Sequence, residues 1–175
     1  MVLTIDTPES MGELGGRLAR ELRAGDLVLL NGELGAGKTT LTRGLGEALG
    51  VRGTVTSPTF VLARTHPRSD SEAPPLVHVD AYRLSSAAEL DDLDIDFAGS
   101  IVVIEWGAGL TDGITDSWLT IDIARPHGGD AEAEVEPRTV TLTGTGSRWA
   151  DLTWALARGA ASGEGDLGWA DAPRD

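Results

Sequence analysis

The chain has 175 residues, 41% of them hydrophobic and 24% charged, enough for one domain with a full core and too few for two comfortable ones. It contains no Cys, which excludes disulfides, zinc–thiolate sites and thiol catalysis. The net charge of -14 argues against tight direct binding to a nucleic-acid backbone, which needs clustered Lys and Arg.

Met1 to Asp6 has neither the basic nor the apolar region of a secretory signal, and no apolar run approaches the roughly 20 residues of a membrane span, so a cytoplasmic location is expected. Thr7 followed by Pro8 and Glu9 predicts a helix start, with Met11, Leu14, Leu18 and Leu22 at helical spacing. Gly25-Asp26 reads as a turn, and the apolar run Leu27 to Leu30 as a strand covered on both faces. A Gly-rich loop, Asn31 to Gly37, leads into a helix from Lys38 to Leu49 with Leu41, Leu45, Ala48 and Leu49 on its core face. A strand is expected at about Phe60 to Thr65, then a mobile loop or hairpin tip from His66 to Pro75 that carries three prolines.

Leu76 to Asp80 and Ile101 to Glu105 read as strands, each ending in an acid, with a short helix between them from Ser86 to Leu93. Leu119 to Ile123 and Thr139 to Thr143 alternate like antiparallel strands around a Gly- and acid-rich loop, Pro126 to Pro137. A final helix is expected from Arg148 to Arg158, with Leu152, Ala155 and Leu156 on its core face. The expected division is one domain over residues 1–159 and a disordered acidic tail over 160–175.

The chemistry concentrates in Gly32-Glu33-Leu34-Gly35-Ala36-Gly37-Lys38-Thr39, which fits G-x-x-x-x-G-K-[ST] at every fixed position. The glycines let the backbone curl so that the successive N–H groups of Gly35, Ala36 and Gly37 turn inward toward phosphate oxygens, and the helix that follows points its positive end at the same place. Lys38 is the chain's only lysine; every other basic residue among the 14 is Arg. Its compact ammonium is expected on the β- and γ-phosphates of ATP, the Thr39 hydroxyl on a Mg²⁺ ion, and Thr40 on the α-phosphate.

Such a site needs an acid at a neighbouring strand end. Glu105 is assigned to the metal, because its strand is the more fully apolar, and Asp80 to orienting or deprotonating the attacking water or to holding the metal indirectly; the two roles are exchangeable. Ser57-Pro58-Thr59 lies where nucleotide-sensing loops sit, so the Thr59 hydroxyl is a candidate phosphate contact. His78 shares a face with Asp80, either as a buried structural His or as a catalytic one. Trp106 reads as packing or as part of a ligand or partner surface.

Together, Gly32 to Thr40, Ser57-Pro58-Thr59-Phe60, His78-Val79-Asp80-Ala81-Tyr82-Arg83-Leu84, Glu89-Leu90 and Ile104-Glu105-Trp106 resemble the TsaE family, over roughly residues 5 to 145. The resemblance implies an α/β, P-loop NTPase-like three-layer domain with a mixed, mainly parallel central sheet. It implies slow Mg-dependent ATP hydrolysis that resets a complex with the TsaD and TsaB proteins. That complex places the threonylcarbamoyl group on the adenosine beside the anticodon of tRNAs reading codons that begin with A. It carries Lys38, Thr39 and Glu105 to ATP and magnesium, Asp80 to the His-x-Asp acid, and brings Thr7 and Arg138 toward the nucleotide. The acid-rich run Asp91 to Asp96, the long loop before Arg138 and the tail depart from the family pattern. Two other readings compete: a P-loop small-molecule kinase, whose one lid segment, His66 to Pro75, has only Arg68, and a non-enzymatic nucleotide-sensing module.

Overall fold

The computed structural model describes residues 1–111, 113–125 and 136–156. Its strands are β1 (Val2–Ile5), β2 (Leu27–Asn31), β3 (Ala63–His66), β4 (Leu76–Asp80), β5 (Ile101–Glu105), β6 (Trp118–Ala124) and β7 (Arg138–Thr145). They form one seven-stranded sheet in the order β1-β7-β6-β2-β5-β4-β3. The four strands β6, β2, β5 and β4 run parallel, while β7 and β3 flank them antiparallel and β1 pairs antiparallel with β7. The unbroken apolar runs of β2 and β5 occupy the middle, where both faces are covered.

Strand alternation sorts the side chains into two cores. Val28, Leu30, Leu76, Ile101 and Val103 face α1 (Pro8–Glu21) and α2 (Lys38–Leu49), with Leu14, Leu18, Leu41 and Leu45 of those helices. Leu27, Leu29, Val77, Val79, Val102 and Ile104 face the other way, under Leu90 of the short helix α3 (Ala87–Asp91) and the partly buried Leu93, Ile95, Phe97 and Ile114. The fold is thus the expected P-loop-like α/β arrangement around a mixed sheet, with a third layer built from one short helix and irregular chain.

Helix α1 starts as the sequence predicts: Pro8 is its first residue, and the Thr7 hydroxyl accepts from the Ser10 N–H at 3.2 Å. Helices α1 and α2 touch backbone to backbone. A Cβ added to Gly15 would lie 2.1 Å from the Leu41 carbonyl oxygen, and one on Gly44 would lie 2.2 Å from that of Gly12. This contact fixes where α2, and hence its N-terminus, sits over the sheet.

Four expectations are corrected. Strand β3 begins at Ala63, because the Val61 and Leu62 N–H groups both donate to the Pro58 carbonyl and hold Phe60 in an exposed turn. Residues 148–156 do not form one helix but two 3₁₀ turns, Ser147–Trp149 and Thr153–Leu156, because the Asp151 carboxylate takes the Thr153 N–H. Trp149 and Ala155 fill the core there, and Leu156 is exposed. Ala48 is exposed on α2, and the unanticipated β1 pairs with β7 from Val2 to Ile5.

The segment between β3 and β4 is a hairpin connection, tied to the end of α2 by Arg68 Nε donating to the Leu49 carbonyl at 2.6 Å. Most of the Pro126 to Pro137 loop, the end of the predicted last helix and the acidic tail lie outside the described residues. No helix among the described residues is long and apolar enough to cross a membrane.

Candidate active site

Between β2 and α2 the chain turns through Gly32 to Gly37. Gly32 has φ 145°, and a Cβ there would stand 2.5 Å from the Ile123 carbonyl oxygen, so only glycine lets the loop pass the end of β6. Gly37, at φ 119°, is the N-cap of α2 and supplies no side chain to it. The first-turn amides are therefore uncapped and open to an anion.

Lys38, the first residue of α2, is only 5% exposed. Its Nζ donates to the carbonyls of Gly32 at 2.7 Å and Glu33 at 3.1 Å, and lies 4.2 Å from the centre of the Trp106 ring. Burial pushes its pKa below the usual lysine value, against the opposing pull of the Glu105 and Asp80 carboxylates. Trp106 is held there by an unusual backbone: its φ is 63°, its N–H donates to the Leu30 carbonyl at 3.1 Å, and its ring meets Tyr82 edge-on at 5.5 Å.

The two acids come from adjacent parallel strands in register, Asp80 opposite Glu105, and both are buried. Asp80 Oδ1 accepts the Tyr82 N–H at 3.1 Å. Glu105 Oε1 lies 2.8 Å from Nε2 of His78, which is fully buried. The Ser57 and Thr59 hydroxyls are 2.7 Å apart, on a loop that Arg83 braces from below by donating to the Thr59 carbonyl at 2.8 Å and the Phe60 carbonyl at 3.3 Å.

These groups line one cavity of about 710 Å³: Gly35, Gly37, Lys38, Thr39 and Thr40 from the loop and helix, Ser57 and Thr59 from the next loop, and Asp80, Glu105, Tyr82, Trp106 and Leu34 around them. Ala36 is buried beneath the loop and does not line the cavity. Thr7 and Arg138 are not among the lining residues: Thr7 caps α1, and Arg138 pairs with Glu136. Sequence reasoning passed over Leu34, Tyr82 and the bracing Arg83. Tyr82 and Arg83 lie in the His-x-Asp-x-Tyr-Arg segment, and their spacing after an acid-ended strand was the available signal.

Amides, a buried ammonium and two carboxylates in one cavity suit a ligand that carries both signs, such as a phosphate chain bridged by a cation. Among the described residues no group of three or more His, Asp or Glu forms a self-sufficient metal cage. One hydroxyl and two carboxylates fit Mg²⁺, which keeps waters and takes its remaining oxygens from phosphates. The site lies at the C-terminal ends of parallel strands, behind a Gly-rich loop that opens a helix, and this defines a P-loop-type α/β domain.

The comparisons with known proteins narrow the class. The family model described as "Threonylcarbamoyl adenosine biosynthesis protein TsaE" matches residues 5–133. A tRNA threonylcarbamoyladenosine biosynthesis protein TsaE of Streptomyces coelicolor is 61% identical over 152 residues, covering 85% of this chain and 100% of that protein. Its Bacillus subtilis counterpart is 34% identical, over 86% of this chain and 90% of that protein. Among solved structures, Bacillus subtilis YdiB superposes with a TM-score of 0.66 at 30% identity, covering 85% of this chain and 88% of that one. The chain belongs to the TsaE family.

Proposed function

We propose that this chain binds ATP with Mg²⁺ and hydrolyses it in the service of tRNA threonylcarbamoyladenosine formation, acting in the cytoplasm with TsaD and TsaB. One observation carries the reading: the chain's only lysine is buried in a cavity that two in-register strand-end carboxylates also line. Its functional unit is the domain of residues 1–159.

The amides of Gly35 and of Gly37 to Thr40 and the Lys38 ammonium would hold the triphosphate, with Thr59 at its far end; the Ala36 N–H, expected there too, donates instead to the Glu33 carbonyl at 3.1 Å. Thr39 and Glu105 would hold Mg²⁺, which when bound neutralises phosphate charge and fixes its orientation. Asp80 would orient a water and accept its proton as the water oxygen bonds to the γ-phosphorus. The bond from that phosphorus to the bridging oxygen breaks, and ADP and phosphate leave. Tyr82 and Trp106 wall this space, and the Trp106 ring covers the Lys38 ammonium. The roles of Thr7 and Arg138 at the nucleotide belong to the same proposal and rest on the family resemblance alone.

The kinase alternative loses support from Arg68. The one arginine of its lid segment is engaged with the Leu49 carbonyl and is not among the cavity-lining residues. The test is reconstitution of the tRNA modification with purified TsaD, TsaB, the enzyme that supplies the threonylcarbamoyl donor, tRNA and this chain, counting modified tRNAs per complex. Omitting the chain, or withholding ATP hydrolysis with a non-hydrolysable analogue, should limit the system to about one turnover. Unimpaired multiple turnover without the chain removes the proposal.

A further inference from the structure

We infer that His78 is a positioning residue for the candidate metal acid: its Nε2–H holds one oxygen of Glu105 and leaves the other aimed into the cavity. This inference rests on the proposed role of Glu105.

The sheet register builds the pair. On β4 and β5, His78 stands opposite Val103 and Asp80 opposite Glu105. Alternation puts His78, Asp80, Val103 and Glu105 on the face toward α2, with His78 one step behind the two acids. The Nε2 to Oε1 distance is 2.8 Å. In the role proposed for Glu105 its side chain is a carboxylate, which only accepts, and the inference therefore puts the hydrogen on Nε2. Nδ1 is buried and has no partner among the described residues. Glu105 Oε2 takes no hydrogen bond from the described residues, and Glu105 lines the cavity.

A purely structural role explains this poorly. A fully buried ring with one nitrogen unpaired is a worse core filler than Leu or Met, because an unpaired buried polar atom costs about 1–3 kcal/mol. What the imidazole adds is a rigid donor at one place. Glu105 also shares the cavity with Lys38, whose ammonium attracts it. Nζ is nevertheless bonded to the loop carbonyls and not to Glu105. A tethered Oε1 keeps the carboxylate off the ammonium, so that the phosphate site and the metal site stay separate. Partners that orient metal ligands in this way are commonly worth 10–100-fold in metal affinity.

The test uses the full chain with His78→Met, which removes the donor, and His78→Gln, which keeps an N–H near the Nε2 position. A fluorescent ADP analogue is titrated in EDTA and then at increasing Mg²⁺. His78→Met should raise the Mg²⁺ concentration for half-maximal effect about 10–100-fold. Binding in EDTA should stay within about twofold, and His78→Gln should recover most of the Mg²⁺ response. In ¹⁵N spectra of the wild-type ring, distinguished by its loss in His78→Gln, the hydrogen should sit on Nε2. This measurement decides the matter even if His78→Met does not fold. A hydrogen on Nδ1, an unchanged Mg²⁺ response, or equal losses with and without Mg²⁺ would each overturn the inference. A Glu105→Gln control separates the failures. If it leaves the Mg²⁺ response intact, the role of Glu105 itself is wrong and the inference falls with it. If it abolishes the response while His78→Met does not, only His78 is misassigned.

Discussion

Replacing Lys38 by Met separates folding from binding at the candidate site. In the free protein the ammonium makes two hydrogen bonds to loop carbonyls, at 2.7 and 3.1 Å, and sits 4.2 Å from the centre of the Trp106 ring. Charge-assisted bonds contribute about 1.5–3 kcal/mol each, and the ring about 0.5–2 kcal/mol. Against this stands the cost of burying an ammonium, several kcal/mol, which Met does not incur. The terms nearly cancel, so the free variant should lie within about 2 kcal/mol of the parent, a Tm change below about 8 °C for a chain of this size. Nucleotide binding has no such compensation. Removing one partner of a buried charge pair costs about 3–5 kcal/mol, roughly two to three and a half orders of magnitude in Kd. Calorimetric titration with Mg·ATP and a thermal melt of the same sample read both numbers. A variant that binds Mg·ATP within threefold of the parent refutes the cradle. A free variant that melts far lower shows Lys38 to be a fold residue first.

Glu105→Ala should weaken Mg-dependent ATP binding about 10–150-fold, and Asp80→Ala less than that while slowing hydrolysis roughly 10²–10⁴-fold; the opposite order, read by the same titration and a phosphate-release assay, means the two acids exchange roles. Gly15→Ala drives a methyl to within 2.1 Å of the Leu41 carbonyl and should cost about 1–3 kcal/mol in urea unfolding, whereas Gly12→Ala, with nothing within 4 Å, should stabilise by up to about 1 kcal/mol. Equal effects would mean that α1 and α2 are not in backbone contact. Burial above all, with the Arg64 charge beside it, holds the pKa of His66 below its ordinary 6.5. The unfolded chain therefore takes up that proton first, and native stability falls as pH drops from 6.5 toward the lowered value. His66→Leu should be flatter than the parent over that window; a constant difference between the two from pH 8 to 5 would rule out the linkage.

What the sequence made legible was local. The Thr7 cap, the Pro8 start, the apolar runs of β2 and β5 and the Gly-rich loop each carry their cause within a few residues. The errors arise where distant chain decides. Strand β1 buries only Ile5 fully and exists because β7, more than a hundred residues on, offers it an edge. The expected strand at Phe60 yields to the Pro58 carbonyl, and the expected last helix to the Asp151 side chain, both local competitors that hydrophobic spacing does not register. At the site the loop and the two acids were readable as motifs. Lys38 lying on Trp106 was not, because it depends on a left-handed backbone at a non-glycine residue. Thr7 stands apart for the opposite reason: its capping role, fully legible, is the one the structure gives it.

The topology explains why so few residues suffice. From β2 the chain passes through α2 to β3 and β4, inserts β5 between β4 and β2, and then crosses to β6 on the other side of β2. The sheet order therefore reverses at β2, and in open α/β sheets a crevice forms outside the strand ends at such a point. Strand β2 delivers the Gly-rich loop to that crevice, β4 delivers Asp80 and β5 delivers Glu105. The two acids point toward α2 only because each is an odd number of residues beyond an outward-facing neighbour, Val79 or Ile104, which packs in the opposite core. A one-residue slip of β5 would send Glu105 to the α3 side and bring an aliphatic chain toward Lys38. The buried apolar alternation of β4 and β5 thus fixes the chemistry of the cavity as firmly as it fixes the core, and the polar end of each strand has no other face to occupy.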